Sequence, residues 1–112
     1  MRLTITALTL LASLPAVAAP LSYNRDVRPI LAENCFSCHG PDKNAREAKL
    51  RLDIRADALA SKAFVPGDPE ESEIIHRIYT EDTEEIMPPP ESHRVLTSAQ
   101  KKILSEWVEQ GA

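Results

Sequence analysis

Apolar positions follow three different rhythms along this chain. Between Leu3 and Leu14 they are almost continuous, at 50–54 they alternate singly, and elsewhere they recur every three or four residues. The last rhythm predicts helices. Val27, Ile30 and Leu31 give one buried stripe, on a helix from Asp26 as its cap to Asn34, with Pro29 in the first turn, where its missing N–H costs nothing. Ile74, Ile75 and Ile78 give a second, opened by Asp68 as cap, Pro69 at the first helical position and Glu70 and Glu71 against the helix dipole, and running to about Tyr79. Thr97-Ser98-Ala99-Gln100 has the form of a capping box and opens a third helix, whose Ile103, Leu104, Trp107 and Val108 share a face and whose end is marked by Gly111. Leu50, Leu52 and Ile54 alternate with Arg51 and Asp53 in a brief extended stretch, and a weaker helix is expected over 55–61. The chain shows no repeat or low-complexity tract, so an all-α single unit with long connecting loops is expected.

The continuous apolar run has another meaning. Arg2 precedes it, and small residues ending in Ala16-Val17-Ala18 follow, which is the form of a secretory signal with an A-x-A cleavage site. Residues 1–18 are therefore read as a signal peptide and 19–112 as one domain, periplasmic or otherwise exported. An uncleaved anchor is the other reading, but the run falls short of the ~20 apolar residues of a spanning helix and is broken by Thr4, Thr6 and Thr9. No stable membrane insertion is expected once the signal is removed.

Composition narrows the remaining domain. Two Phe, two Tyr and one Trp are few large rings for a small interior, and loops as long as those between the helices need something to fold around. Against 17 acidic residues stand 13 basic ones, of which Arg2 lies in the leader, so the domain is acidic and unsuited to nucleic acid. The charge is also uneven: 43–62 is net basic, whereas 68–85 is strongly acidic. The acids Glu81, Asp82, Glu84 and Glu85 read either as a rim that steers a basic partner or as a solvated face.

Cys35-Phe36-Ser37-Cys38-His39 is a C-x-x-C-H sequence, the pattern of covalent haem attachment. Two thiols one helical turn apart can each bond a vinyl group, and the adjacent imidazole reaches the iron. A dithiol oxidoreductase would need a βαβ pattern around its C-x-x-C, and a structural zinc site would have to recruit two of His39, His76 and His93 at irregular spacings. Haem c, one group bound covalently through Cys35 and Cys38, is the reading that agrees with the export signal and the short preceding helix.

His39 is then one axial ligand. Met1 leaves with the signal, so Met87 is the one methionine of residues 19–112, and it stands in a loop, Ile86-Met87-Pro88-Pro89-Pro90, outside any helical stripe. Three prolines stiffen that loop and lower the entropy lost in holding a thioether on a metal. Met87 as apolar fill, and His76 or His93 as the second ligand, are the competing assignments.

The ordered set Tyr23-Asn24-Arg25-Asp26-Val27-Arg28-Pro29-Ile30-Leu31, Asn34 to Pro41, Leu50-Arg51-Leu52-Asp53, Val65-Pro66-Gly67-Asp68-Pro69, Met87-Pro88-Pro89 and Trp107 to Ala112 resembles the planctomycete-type cytochrome c domain, a relative of class I cytochromes c. The resemblance spans nearly all of 22–112. It implies a small class I cytochrome c-like fold, with helices and long loops wrapped around one covalently bound haem. It further implies thioethers at Cys35 and Cys38 and iron ligation by His39 and Met87. Domains of this type often resemble modules of larger exported proteins, so a free-standing carrier and a haem module of a larger oxidoreductase complex are both compatible with it.

With two axial ligands the iron has no place for a substrate, and its chemistry is one-electron transfer. The expected function is that of a carrier between redox partner proteins and not of an enzyme. A haem enzyme or gas sensor with an open distal site is the alternative, and no distal His/Arg pair with peroxidase spacing supports it.

Overall fold

A computed structural model describes residues 1, 3, 4, 7–14 and 19–112 of the chain. The described residues among 1–14 are exposed and lack regular structure, and the expected cleavage site at 16–18 lies outside the described residues. Among the described residues there is no strand, and no helix is long and apolar enough to cross a membrane. Four α-helices carry the fold: α1, Arg28–Asn34; α2, Arg55–Ala60; α3, Glu73–Tyr79; and α4, Ser98–Glu109. A π-turn, Tyr23–Val27, leads into α1, and a short 3₁₀ turn, Pro90–Ser92, precedes α4.

The stripes expected from the sequence meet in one core. Val27, Ile30 and Leu31 face Ile74, Ile75 and Ile78 of α3 and Leu104, Trp107 and Val108 of α4, with Ile103 partly buried beside them. Trp107 is a hub: the Phe64 ring meets it edge-on at 5.1 Å between centroids, and Tyr23 tilts against it at 5.6 Å. Such pairs add to the area they bury. The first turn of the chain is thereby fixed to the last helix. Gln110 reinforces the junction, its side-chain oxygen accepting from the Leu21 N–H at 2.8 Å and its amide donating to the Ala19 carbonyl at 3.3 Å.

Helix termini explain where the elements begin. The capping box of α4 is present, Thr97 and Gln100 each accepting the other's backbone N–H, and α4 ends in a Schellman motif at Gly111, φ +115°. The first helix starts differently from the expectation. Asp26 lies within the π-turn and not at its cap; Ser22 is the cap, its hydroxyl accepting from the Arg25 N–H while Asp26 accepts from the Ser22 N–H. The carboxylate thus closes the box from inside, gripped also by the Arg25 guanidinium.

The second stripe also starts later than expected. Asp68 caps only a turn, accepting from the Glu71 N–H at 3.2 Å, and α3 begins at Glu73 with Ser72 as its cap residue. The cause lies upstream. The Lys62 and Ala63 carbonyls accept the Glu73 and Ile74 N–H groups, and the fully buried Ser72 hydroxyl accepts from the Val65 N–H and donates to the Asp68 carbonyl. A helix beginning at Pro69 would break this arrangement: the Ala63 carbonyl, the Val65 N–H and the buried Ser72 hydroxyl would lose these partners, and a buried polar group left unpaired costs about 1–3 kcal/mol. The segment around Leu52 is bent and forms no strand, although the alternation is expressed: Leu52 is buried and Leu50 partly so, while Arg51 and Asp53 pair on the other side and Ile54 is exposed.

Candidate functional site

The end of α1 delivers the cysteines. The Leu31 carbonyl accepts the N–H groups of both Cys35 and Phe36, at 2.8 and 3.0 Å, so the helix tightens as it stops. The Cys35 carbonyl then accepts from Cys38 at 3.2 Å and from His39 at 2.8 Å. Cys35, Cys38 and His39 therefore share a single backbone turn, and both thiols are free. Two more backbone bonds strap the following loop to it: the Glu47 N–H to the Cys38 carbonyl and the Leu52 N–H to the His39 carbonyl, each 2.8 Å.

Gly40 closes this turn for a steric reason. A Cβ at that position would collide with the Phe36 carbonyl oxygen, so any other residue must displace backbone. Arg46 covers the exit, its guanidinium donating to the Gly40 carbonyl at 2.9 Å and the Pro41 carbonyl at 3.3 Å. Further on, Arg51 grips Asp53 through two parallel bonds of 3.1 and 2.6 Å, which holds the Asp53 carboxyl below the usual carboxylate range. The resulting clamp flanks Leu52, whose N–H reaches His39.

The imidazole and thiols have an unusual setting. Nδ1 of His39 is buried and has no hydrogen-bond partner among the described residues. Burial pushes the Cys35 thiol up to about 11, with the nearby Arg94 guanidinium acting in the opposite direction. Among the described residues no three His, Cys, Asp or Glu side chains gather as a metal cluster.

Met87 comes from a separate segment. Its N–H donates to the Arg77 carbonyl at the end of α3, 2.9 Å away, and the Arg77 guanidinium holds both Glu73, at 2.8 Å, and the Glu85 carbonyl, at 3.3 Å. Met87, Pro88 and Pro89 are half-buried, whereas Glu81, Asp82, Glu84 and Pro90 are exposed. Of the rival histidines, His76 is exposed and faces the Glu85 carboxylate at 3.3 Å, and His93 is exposed at the end of the 3₁₀ turn in left-handed backbone, φ 57°. The one hydrogen bond among the described residues between the Met87–Leu96 segment and the cysteine turn is from Arg94 to the Ser37 hydroxyl, at 2.6 Å.

Sequence reasoning missed the side chains that brace the site: Arg46, Arg77 and Arg94. None belongs to a spaced motif, and each acts on a backbone or hydroxyl group that local pattern does not reveal. Gly40 was legible as a turn residue, though the steric demand behind it was not.

No curated protein and no solved structure matches the chain. A family model described as Planctomycete cytochrome C matches residues 35–91, about half of the sequence, beginning on the first cysteine and extending just past Met87 and its prolines. The chain belongs to the planctomycete cytochrome c family, and with that membership comes a haem-binding, electron-transferring role.

Proposed function

We propose that this protein is an exported mono-haem cytochrome that carries single electrons between redox partner proteins. In this reading residues 1–18 are removed as a signal peptide and 19–112 form the working domain. Cys35 and Cys38 would hold haem c through thioether bonds, and His39 and Met87 would ligate its iron. The observation that carries the proposal is the shared turn at 35–39. Backbone bonds from Cys38 and His39 to the Cys35 carbonyl put two free thiols and an imidazole on one turn, a set of groups suited to covalent attachment with ligation by the imidazole.

Bound there, haem supplies a one-electron Fe(II)/Fe(III) couple, whose potential a Met/His pair raises. The chain's own contribution is positional. Backbone bonds to the Cys35 carbonyl fix where the imidazole stands, and the Leu52 N–H on the His39 carbonyl holds that backbone from the other side. The hydrogen bond from the Met87 N–H to α3 sets the loop before any ligand is present, which reduces the ordering cost of ligation. Val27, Leu31, Ile74 and Ile78 keep the adjoining interior dry.

Optical spectroscopy on the matured protein tests the reading. The ferric wild type is expected to show the far-red sulfur-to-iron charge-transfer band, and Met87→Ala to abolish it and to admit carbon monoxide in the ferrous form. A wild type that lacks the band and binds carbon monoxide at once would instead have an open distal site.

A further inference from the structure

Arg94 is placed with care for an exposed residue. His93 turns the chain through left-handed backbone, the Arg94 N–H donates to the Ser92 hydroxyl at 3.2 Å, and Leu96, buried two residues later, fixes the far side. The guanidinium then reaches across 57 positions of sequence to the hydroxyl of Ser37, between the two cysteines, at 2.6 Å.

We propose that Arg94 is a positioning residue, a latch that closes the Met87–Leu96 segment onto the cysteine turn and so retains Met87 at the metal. The retention of Met87 rests on the ligation proposed above; the closure itself does not. Two features support it. Among the described residues no other hydrogen bond joins these two segments, so the latch has no duplicate. The rest of the loop hangs from α3, through the Met87 N–H and Arg77, which fixes its base but not its approach to the cysteines. A charged donor on a neutral hydroxyl is also stronger than a neutral pair, and Ser37 is held by the turn that carries the proximal ligand. Movement of the latch would thus be felt at both axial positions.

The test uses the matured holoprotein with Arg94→Ala, Arg94→Lys, Ser37→Ala and the double variant Arg94→Ala/Ser37→Ala. Cyanide is titrated into the ferric forms while the far-red band is followed, and backbone hydrogen exchange is measured over 86–96. Arg94→Ala and Ser37→Ala are each expected to tighten apparent cyanide binding about tenfold and to speed exchange in that segment. The double variant should match the single ones, because both remove the same bond. Arg94→Lys, which keeps a donor, should restore part of the effect. Unchanged exchange and cyanide affinity in Arg94→Ala, or additive effects in the double variant, would overturn the latch. A wild type without the far-red band would reject ligation by Met87, and exchange over 86–96 would still decide the closure.

Discussion

The two halves of the site are built in opposite ways. The turn 35–39 is made almost wholly by backbone: α1 leads into it, the Cys35 carbonyl organises it, and Glu47 and Leu52 bind to its outer carbonyls. The Met87 segment is held by side chains, Arg77 of α3 beneath it and its own Arg94 reaching out to Ser37, with a single backbone bond to α3. On the proposed assignment, haem attachment needs the thiols and imidazole in fixed register, which the contiguous motif supplies locally, and Met87 is a ligand carried on a separate arm held by longer-range contacts.

The comparison breaks most severely at Gly40. Gly40→Ala sets a methyl group against the Phe36 carbonyl, and destabilisation by roughly 3 kcal/mol is expected, with lowered yield of matured protein. Urea denaturation of the holoprotein measures it. A loss below about 0.5 kcal/mol would show that the turn yields easily, and the contrast between a rigid turn and a hung arm would fail.

A smaller effect is expected at the base of the arm. Arg77→Ala removes the Glu73 and Glu85 contacts while the Met87 backbone bond remains, so a loss of about 0.5–1 kcal/mol is expected. Hydrogen exchange should quicken over 80–87 and stay unchanged over 35–39; equal quickening in both would make the two halves one cooperative unit.

The smallest effect concerns pH. The Asp53 carboxyl is held below its unfolded value chiefly by the hydrogen bonds from Arg51, so its contribution to stability is present above about pH 4 and is lost as pH falls through the lowered folded pKa. Wild type should therefore exceed Asp53→Asn in urea midpoint at pH 7, and the two should converge as the pH is taken down towards 3. A constant difference across that range would mean that Asp53 acts by packing alone, without its charge.

Legibility followed the same division. The C-x-x-C-H motif, the Thr97 capping box and the isoleucine stripe of α3 are local, and each is where the sequence places it. The start of α3 was misplaced because Asp68-Pro69 is a sound helix opening by every local rule; the carbonyls of Lys62 and Ala63 decide otherwise, and they belong to another turn. That turn was itself concealed, since α2 closes in a Schellman arrangement with Lys62, at φ 60°, in the place usually held by glycine. Ser22 was overlooked because Asp26 sits closer to the helical stripe. Arg94 was overlooked for a different reason: its partner lies 57 residues away, and a charged loop residue before a buried leucine has no signature.

The grip of Gln110 on Ala19 and Leu21 bears on the topology of the whole chain. With Tyr23 stacked on Trp107, the two ends of the domain are joined, and everything between them is a loop with its ends already pinned. The entropy of closing such a ring rises only logarithmically with its circumference, by about 0.6 kcal/mol for each doubling. Extra residues in the exposed stretch 41–45 thus add little to the cost of closure, whereas severing the junction would release the whole circuit at once. Tolerance to insertion and intolerance to trimming at the ends are two sides of one clasp.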